Sequence, residues 1–392
     1  MIRFALAASV ALFSGMAAPA QAASSLRLNY IGQQIITPGA QAFGTTIGGL
    51  SGLDYDSVSK TYLAISDDRS QIGPARFYNL SLNLTSTAFN GVNFTAVQTF
   101  KRPDGTLYPA LGLDPESIRF SRSGGIIYTS EGDANALQAP FVREANLNGS
   151  FIRDFNLPAY YLPSVGQTGI RNNLSFENLT ITPNGSIFAA NENALKQDGS
   201  AATLTSTSPT RFIAFDPVTG NPTAEYVYNA DAIAQPPVPT TNFAVSGLTD
   251  LLAVSDTRFI GIERSFSVGA PGTGYAIKLY EINLAGATNV LGLSSLANAA
   301  YTPVSKTLLL DLGTLGIPLD NIEGITFGQT LENGHRSLIL VSDDNFNANQ
   351  FTQFLAFDVA GIPEPASWAM MIIGFGCAGG AMRRRKQTPQ TA

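Results

Sequence analysis
The chain has 392 residues, 23 Lys and Arg against 29 Asp and Glu, a formal charge of −6 and a pI near 4.9, which argues against binding a nucleic acid backbone. It has one histidine, His335, in the polar turn ENGHRS, and one cysteine, Cys377. A His-rich zinc site, a thiol nucleophile and a disulfide framework are therefore set aside, and a Ser-His-Asp triad would have to be built on that one turn. With 13% charged residues, 10% aromatics, 37 Gly and 22 Pro, the composition suits many short strands joined by turns rather than long amphipathic helices.

The first segment, MIRFALAASVALFSGMAAPAQAASS, joins Arg3 to an apolar stretch and an Ala20-Gln21-Ala22 cleavage signal. This predicts a signal peptide over residues 1–22, removed by signal peptidase. Next comes a lone strand, LRLNYIGQQII (26–36), with no hairpin partner of its own.

A hairpin pattern then recurs five times. In chain order the copies are SGLDYDSVSKTYLAISDD (51–68), ESIRFSRSGGIIYTSEGD (116–133), FENLTITPNGSIFAANEN (176–193), SGLTDLLAVSDTRFIGIERS (246–265) and EGITFGQTLENGHRSLILVSDD (323–344). Each begins with an acid or a serine, continues through strand, turn and apolar strand, and ends at an acid. The separation of Glu116 and Glu131 equals that of Glu177 and Glu192. Third strands are predicted at 76–84, 141–147, 211–217, 277–284 and 351–359, and fourth strands at 94–100, 151–157, 224–230 and 306–312. The last copy lacks a fourth strand, and the spare strand at 26–36 supplies it. The prediction is an all-β propeller of five four-stranded blades closed by the N-terminal strand, spanning residues 23–361. Six blades, or a two-sheet sandwich, are the alternatives.

In such a blade the residue before the first strand and the residue after the second emerge at the same end. Glu116, Glu177 and Glu323 are thus expected around one mouth, with Glu131, Glu192 and Asp343 beside them and Asp67, Asp68, Glu263 and Asp344 in the adjoining acidic positions. Crowded carboxylates need an offset: a raised pKa, an arginine or a cation. Oxygen-only donors favour Ca²⁺ or Mg²⁺ over zinc or copper. Glu116, Glu177 and Glu323 are the candidate catalytic residues, as metal ligands or general bases, with Asp67, Asp68, Glu131, Glu192, Glu263, Asp343 and Asp344 as further candidate metal ligands, and Arg69, Arg171 and Arg264 the candidates to orient an anionic ester. The other reading is structural, with acids capping turns and bonding neighbouring amides. No histidine stands ready to activate Ser51 or Ser246.

The C-terminus, PEPASWAMMIIGFGCAGGAMRRRK (363–386), sets a turn motif, an apolar run of about 17 residues and a basic stop in order. It resembles the PEP-CTERM sorting signal, with Pro363, Glu364, Pro365 and Trp368 in the expected places. The resemblance implies processing of residues 362–392 by an exosortase-type enzyme, membrane contact only through this tail, and passage to the periplasm and then the outer surface or medium. The two ends hold five of the basic residues and one of the acidic ones, so the body carries 18 against 28.

LDPESIRF with TSEGD, RNNLSFENLTITPNGSIFAANENAL, and NIEGITFG with LILVSDDNFNANQFTQFLAF together resemble the phytase-like family, named for the esterase-like activity of phytase. The resemblance implies an exported propeller with phosphoesterase or carboxylesterase activity on a small anionic ester. A propeller that binds a surface ligand or partner without chemistry is the alternative. Where the family commonly has glycine after the central glutamate, this chain has Asn178.

Overall fold
The hairpins form because each apolar run is short, alternates or is continuously apolar, and ends at a Gly-, Asn- or Asp-containing turn. The computed structural model describes residues 26–361; the predicted signal peptide and the sorting tail lie outside the described residues. Blade I consists of Leu50–Asp56, Thr61–Ser66, Arg76–Leu84 and Phe89–Thr99, and blade II of Pro115–Phe120, Ile126–Ser130, Phe141–Ala145 and Phe151–Asp154. Blade III comprises Phe176–Ile181, Ile187–Asn191, Ser208–Phe215 and Pro222–Ala230, and blade IV Ala244–Ala253, Arg258–Ser267, Tyr275–Asn283 and Ser305–Asp311. Blade V has Asn321–Thr330, Arg336–Asp343 and Thr352–Ala360, and its outer strand is Arg27–Ile36.

That N-terminal strand pairs antiparallel with the last one, Tyr30 opposite Phe357 and Gln33 opposite Leu355, so the two ends of the propeller body close its ring. The first strands of the blades pack in chain order around the axis, the fifth against the first. The count is five, and the six-blade and sandwich alternatives fall away. Apolar side chains fill the gaps between blades: Leu53, Tyr78, Val341 and Phe354 between V and I, Ile65, Phe77, Ile118 and Tyr128 between I and II, and Phe188, Phe212, Leu251 and Phe259 between III and IV. Two differences from expectation are local. The outer strand of blade II stops at Asp154 because the Asn156 N–H turns away to donate to the Gly220 carbonyl (2.9 Å). A small hairpin, Gln41–Ala42 with Thr45–Thr46, precedes blade I.

Every first strand carries one bulge near the axis, between Leu50 and Gly52, Pro115 and Ile118, Phe176 and Asn178, Leu248 and Asp250, and Ile322 and Gly324. A bulge re-aims a side chain, and here it turns Ser51, Glu116, Glu177, Thr249 and Glu323 to equivalent places. The residues that follow, Gly52, Ser117, Asn178, Asp250 and Gly324, meet where the strands approach most closely. A Cβ on Gly52 would lie 2.8 Å from the Glu116 carbonyl oxygen, which explains glycine there. Asn178 fits by bonding across the gap: its Nδ2 donates to the Leu248 (2.7 Å) and Ala190 (3.1 Å) carbonyls.

Asp250 at this level forms a buried ion pair with Arg119, whose Nη2 donates to both carboxylate oxygens at 3.0 and 2.8 Å. Arg119 also donates to the carbonyls of Leu53 in blade I and Leu251 in blade IV. Asp250 accepts from the N–H groups of Leu179 in blade III and Ile325 in blade V, and from the Ser117 hydroxyl in blade II. One ion pair therefore touches all five blades.

Candidate functional site
The return of each second strand beside its first is visible in the backbone. The Glu192 N–H donates to the Ser175 carbonyl (2.7 Å), Asp67 N–H to Gly49 (2.6 Å) and Glu131 N–H to Asp114 (3.0 Å). Aligned on the bulges, the second-strand ends place Asp67, Glu131, Glu192, Arg264 and Asp343 in equivalent positions. One position level thus reads Ser, Glu, Glu, Thr, Glu around the ring, and the next Asp, Glu, Glu, Arg, Asp. A cavity of about 1090 Å³ opens at this end, lined among others by Asp67, Glu116, Glu177, Glu192, Glu323, Asp343 and Arg264.

Eight carboxylates crowd together here, Asp67, Glu116, Glu131, Glu177, Glu192, Glu323 and Asp343 with Asp114 added, and a ninth, Asp320, lines the same cavity. Arg264 is the one cation at their centre. Its Nη2 donates to Glu323 Oε1 at 2.9 Å and lies 3.6 Å from Glu192 Oε1. Burial alone would lower the pKa of Arg264, but Glu192, Glu323 and Glu177 hold it above its ordinary value. Arg69 stands at the edge, 3.3 Å from Asp114 and 3.0 Å from Asp133.

Burial raises every one of these carboxyls, and mutual repulsion adds to it. Asp114 is pushed up to about 6 and Glu192 to about 7, burial leading in both and Arg69 and Arg264 respectively pulling the other way. Asp67, Glu116, Glu131, Glu177 and Asp343 are raised well above the carboxylate range, again by burial first and then by neighbouring acids. Glu323 is raised less freely, because Arg264 and the Asn321 Nδ2–H donor (2.8 Å) favour its ionised form. The carboxyl of Glu177 makes no hydrogen bond among the described residues and faces the cavity.

Two observations bear on a cation. Ligand oxygens of Asp67, Asp114 and Glu116 lie within 4.8 Å of one another, close enough for one ion to touch all three. Asp67 Oδ1 and the buried Asn321 Oδ1 have no hydrogen-bond partner. The residues present fit a hard cation with oxygen ligands, such as Ca²⁺ or Mg²⁺.

Four expected members are not brought to the mouth. Asp68 is turned the opposite way from Asp67 and forms a buried pair with Arg76 (2.6 Å) while capping the N–H groups of Gln71, Ile72 and Gly73. Glu263 accepts from Tyr228 (2.5 Å) and from Lys306 between blades III and IV. Asp344 accepts from the Gly49 N–H (2.9 Å) and so ties blade V to blade I. Arg171 spends its guanidinium on the carbonyls of Ala194 and Gly199. For Asp68, Glu263 and Asp344 the physical reason is alternation, since adjacent residues of an extended chain face opposite ways and only one of each adjoining pair reaches the mouth; Arg171 lies in the loop before blade III. In blade IV the repeat pattern falls three residues early on the first strand and one residue early at the end of the second. The bulge makes Thr249, not Ser246, the counterpart of Glu177, and makes Arg264, not Glu263, the counterpart of Glu192. Asp114, missed in the sequence, was signalled by its i, i+2 spacing from Glu116 in LDPE.

Gly247 in blade IV is needed by this packing: a Cβ there would lie 2.4 Å from Glu192 Cγ and 2.6 Å from its Oε1. Gly247→Ala is expected to push Glu192 away from Arg264 and to cost about 1–3 kcal/mol, measured by urea unfolding; an unchanged midpoint would show that the contact is not tight.

Residues 45–346 match the Phytase-like family, described as esterase-like activity of phytase, and residues 361–386 match the PEP-CTERM protein-sorting motif. The second match marks an exported protein with a C-terminus processed by an exosortase-type enzyme. No curated protein matches the chain. Among solved structures, the chain is similar to the Dos1 propeller, with 10% identity over 81% of this chain and 69% of that one and a TM-score of 0.31. It is also similar to an endo-arabinase from Bacteroides thetaiotaomicron (10% identity, 83% and 96% covered, TM-score 0.39). An endo-1,4-beta-xylanase from the same organism gives 11% identity, 79% and 90% covered, and a TM-score of 0.41. At these identities and TM-scores the likenesses bear on neither activity nor substrate.

Proposed function
The chain belongs to the phytase-like family, and from that premise we propose that it is an exported hydrolase of phosphate or other esters whose acidic mouth holds a divalent cation, Ca²⁺ or Mg²⁺. Passage through the periplasm to the outer surface or medium is part of the same reading. The observation that carries it is the oxygen trio of Asp67, Asp114 and Glu116, beside an Asp67 Oδ1 without a partner, among carboxylates far outnumbering the guanidiniums that face them.

When bound there, the cation would polarise an ester oxygen and acidify a water. Glu177, whose carboxyl faces the cavity and has its pKa raised above the ordinary value by burial and by neighbouring acids, is placed to exchange a proton with a reacting group. Glu323 is fixed by Arg264 and Asn321 and orients Arg264 in turn. Arg264 is then the positive group nearest an anionic ester, and Arg69 a second one at the edge.

The test is turnover of a phosphomonoester and carboxylester panel with CaCl₂, MgCl₂ or EDTA. Cation-dependent hydrolysis supports the reading. A melting temperature indifferent to millimolar cation, with no turnover of any ester, would sink it and leave a propeller that binds without chemistry.

The pKa shifts give a pH dependence as well. These acids bind protons more tightly folded than unfolded, so their stabilising contribution is present below about pH 4 and is lost as pH rises through about 6 for Asp114 and about 7 for Glu192. In EDTA, stability is therefore expected to fall between pH 5 and pH 8. Added Ca²⁺ should flatten or reverse that fall, because ligation requires the deprotonated carboxylates. Thermal melts across this range, with and without Ca²⁺, check both slopes.

A further inference from the structure
The floor of the mouth is acidic, but its entrance is built from other chemistry. One wall is aromatic. Phe243 leads into blade IV, Phe266 lies near the end of its second strand and Tyr275 begins its third, with ring centroids 6.4 Å apart for Phe243–Phe266 and 4.5 Å for Phe266–Tyr275. All three line the cavity, and Phe243 is 63% exposed.

Beside it is the loop after the second strand of the neighbouring blade V, whose Asn345, Asn347, Asn349 and Gln350 line the same cavity. Wall and loop are bonded directly, since Gln350 Nε2 donates to the Tyr275 hydroxyl at 2.9 Å and to Asp320 Oδ1 at 3.0 Å. The loop is held in an unusual shape. Asn345 and Phe346 both have positive φ, 48° and 50°, and for a bulky residue such as Phe346 this conformation is strained. The N–H of Asn347 donates to the Asp344 carbonyl (2.8 Å) and that of Gln350 to the Asn347 carbonyl (2.9 Å), which keep it there. The side-chain amides of Asn345 and Asn349 make no hydrogen bond among the described residues.

A large apolar ring left in water and a strained loop presenting free amides thus line one opening. A purely polar ligand would leave Phe243 exposed, and a purely aromatic one would leave the amides unmet. A ring with a flat C–H face and hydroxyls around its edge satisfies both. The acidic floor disfavours a charged acid on that ring.

We propose that the entrance of the mouth is a subsite for a neutral sugar ring, stacked on Phe243 with its hydroxyls turned to the amides of the 345–350 loop. The proposal deepens the ester reading by naming the group that carries the ester, and it rests on that reading for turnover; binding of the sugar itself needs no cation.

The test is calorimetric and saturation-transfer binding of methyl glycosides of glucose, galactose, xylose and arabinose, and of xylotriose and arabinotriose, to the exported chain in EDTA and in CaCl₂. At least one sugar is expected to bind in both buffers, and Phe243→Ala and Asn349→Ala are each expected to weaken it about tenfold or more. Phe243→Ala should keep the wild-type Ca²⁺ melting response, which reports that the floor is intact. Binding of none of these sugars, or undiminished binding by Phe243→Ala, would overturn the subsite. Sugar binding that depends on Phe243 in a protein with no cation response and no ester turnover would instead overturn the ester reading and leave the subsite standing.

Discussion

Asp250→Asn is expected to destabilise the propeller by about 3–5 kcal/mol, because it leaves the buried Arg119 guanidinium without its counter-charge. Urea unfolding of the exported chain measures this directly. The expectation is large because Asp250 and Arg119 bond to backbone or side-chain groups of all five blades. Removing the charge strands donors from several blades at once rather than from one neighbour. Arg119→Met should cost a similar amount, since it leaves an uncompensated buried carboxylate. The double change of Arg119→Met with Asp250→Leu should recover much of the loss, because replacing both charges removes the desolvation penalty together with the attraction. Single variants within about 1 kcal/mol of wild type would mean that the pair is a passive feature of a ring held by its apolar interfaces alone. The Ca²⁺ response should survive in these variants wherever they remain folded, as the pair belongs to the axial contact and not to the carboxylate floor.

Asp67→Asn and Glu116→Gln are expected to have opposite effects on the cation-free and cation-bound protein. In EDTA at pH 8 each should stabilise the fold, since each removes a buried charge repelled by its neighbours. In Ca²⁺ each should remove most of the stabilisation. At a concentration about 100 times the dissociation constant, the wild type gains about 2.7 kcal/mol, and a variant binding about 100-fold more weakly gains about 0.4 kcal/mol. For a body of this size that difference corresponds to a melting shift of roughly 3 °C. Asp68→Asn is the contrast: its carboxylate is bound to Arg76 and to a turn, so it should lower stability in both buffers and leave the Ca²⁺ increment intact. If Asp67→Asn and Asp68→Asn behaved alike, the assignment of these two neighbours to opposite sides of the strand would fail.

Much of the architecture was legible in the residues. Five hairpins of one pattern, each followed by further strand-like runs, and a spare strand at the start with a missing one at the end, point to the ring of five that the structure closes with residues 27–36. The acids of blades II, III and V were legible too, because Glu116 and Glu131, Glu177 and Glu192, and Glu323 and Asp343 stand at matching places in their copies. Blades I and IV were harder. Their turns differ, and in blade IV the motif SGL imitates the start of blade I three residues before the true counterpart, Thr249.

Strand pattern and turn chemistry are local, so the sequence by itself determined the repeated hairpins, the closing strand and the presence of an acidic end, while the packing of the fifth first strand against the first decided five blades over six. Orientation within that end is decided by where each bulge falls, and a one-residue shift sends a side chain to the other face. That is why only the tertiary structure could separate Asp67 from Asp68, Asp343 from Asp344, and Arg264 from Glu263. The Arg119–Asp250 pair was likewise invisible, because it joins residues 131 positions apart that become neighbours only when the ring closes around the axis.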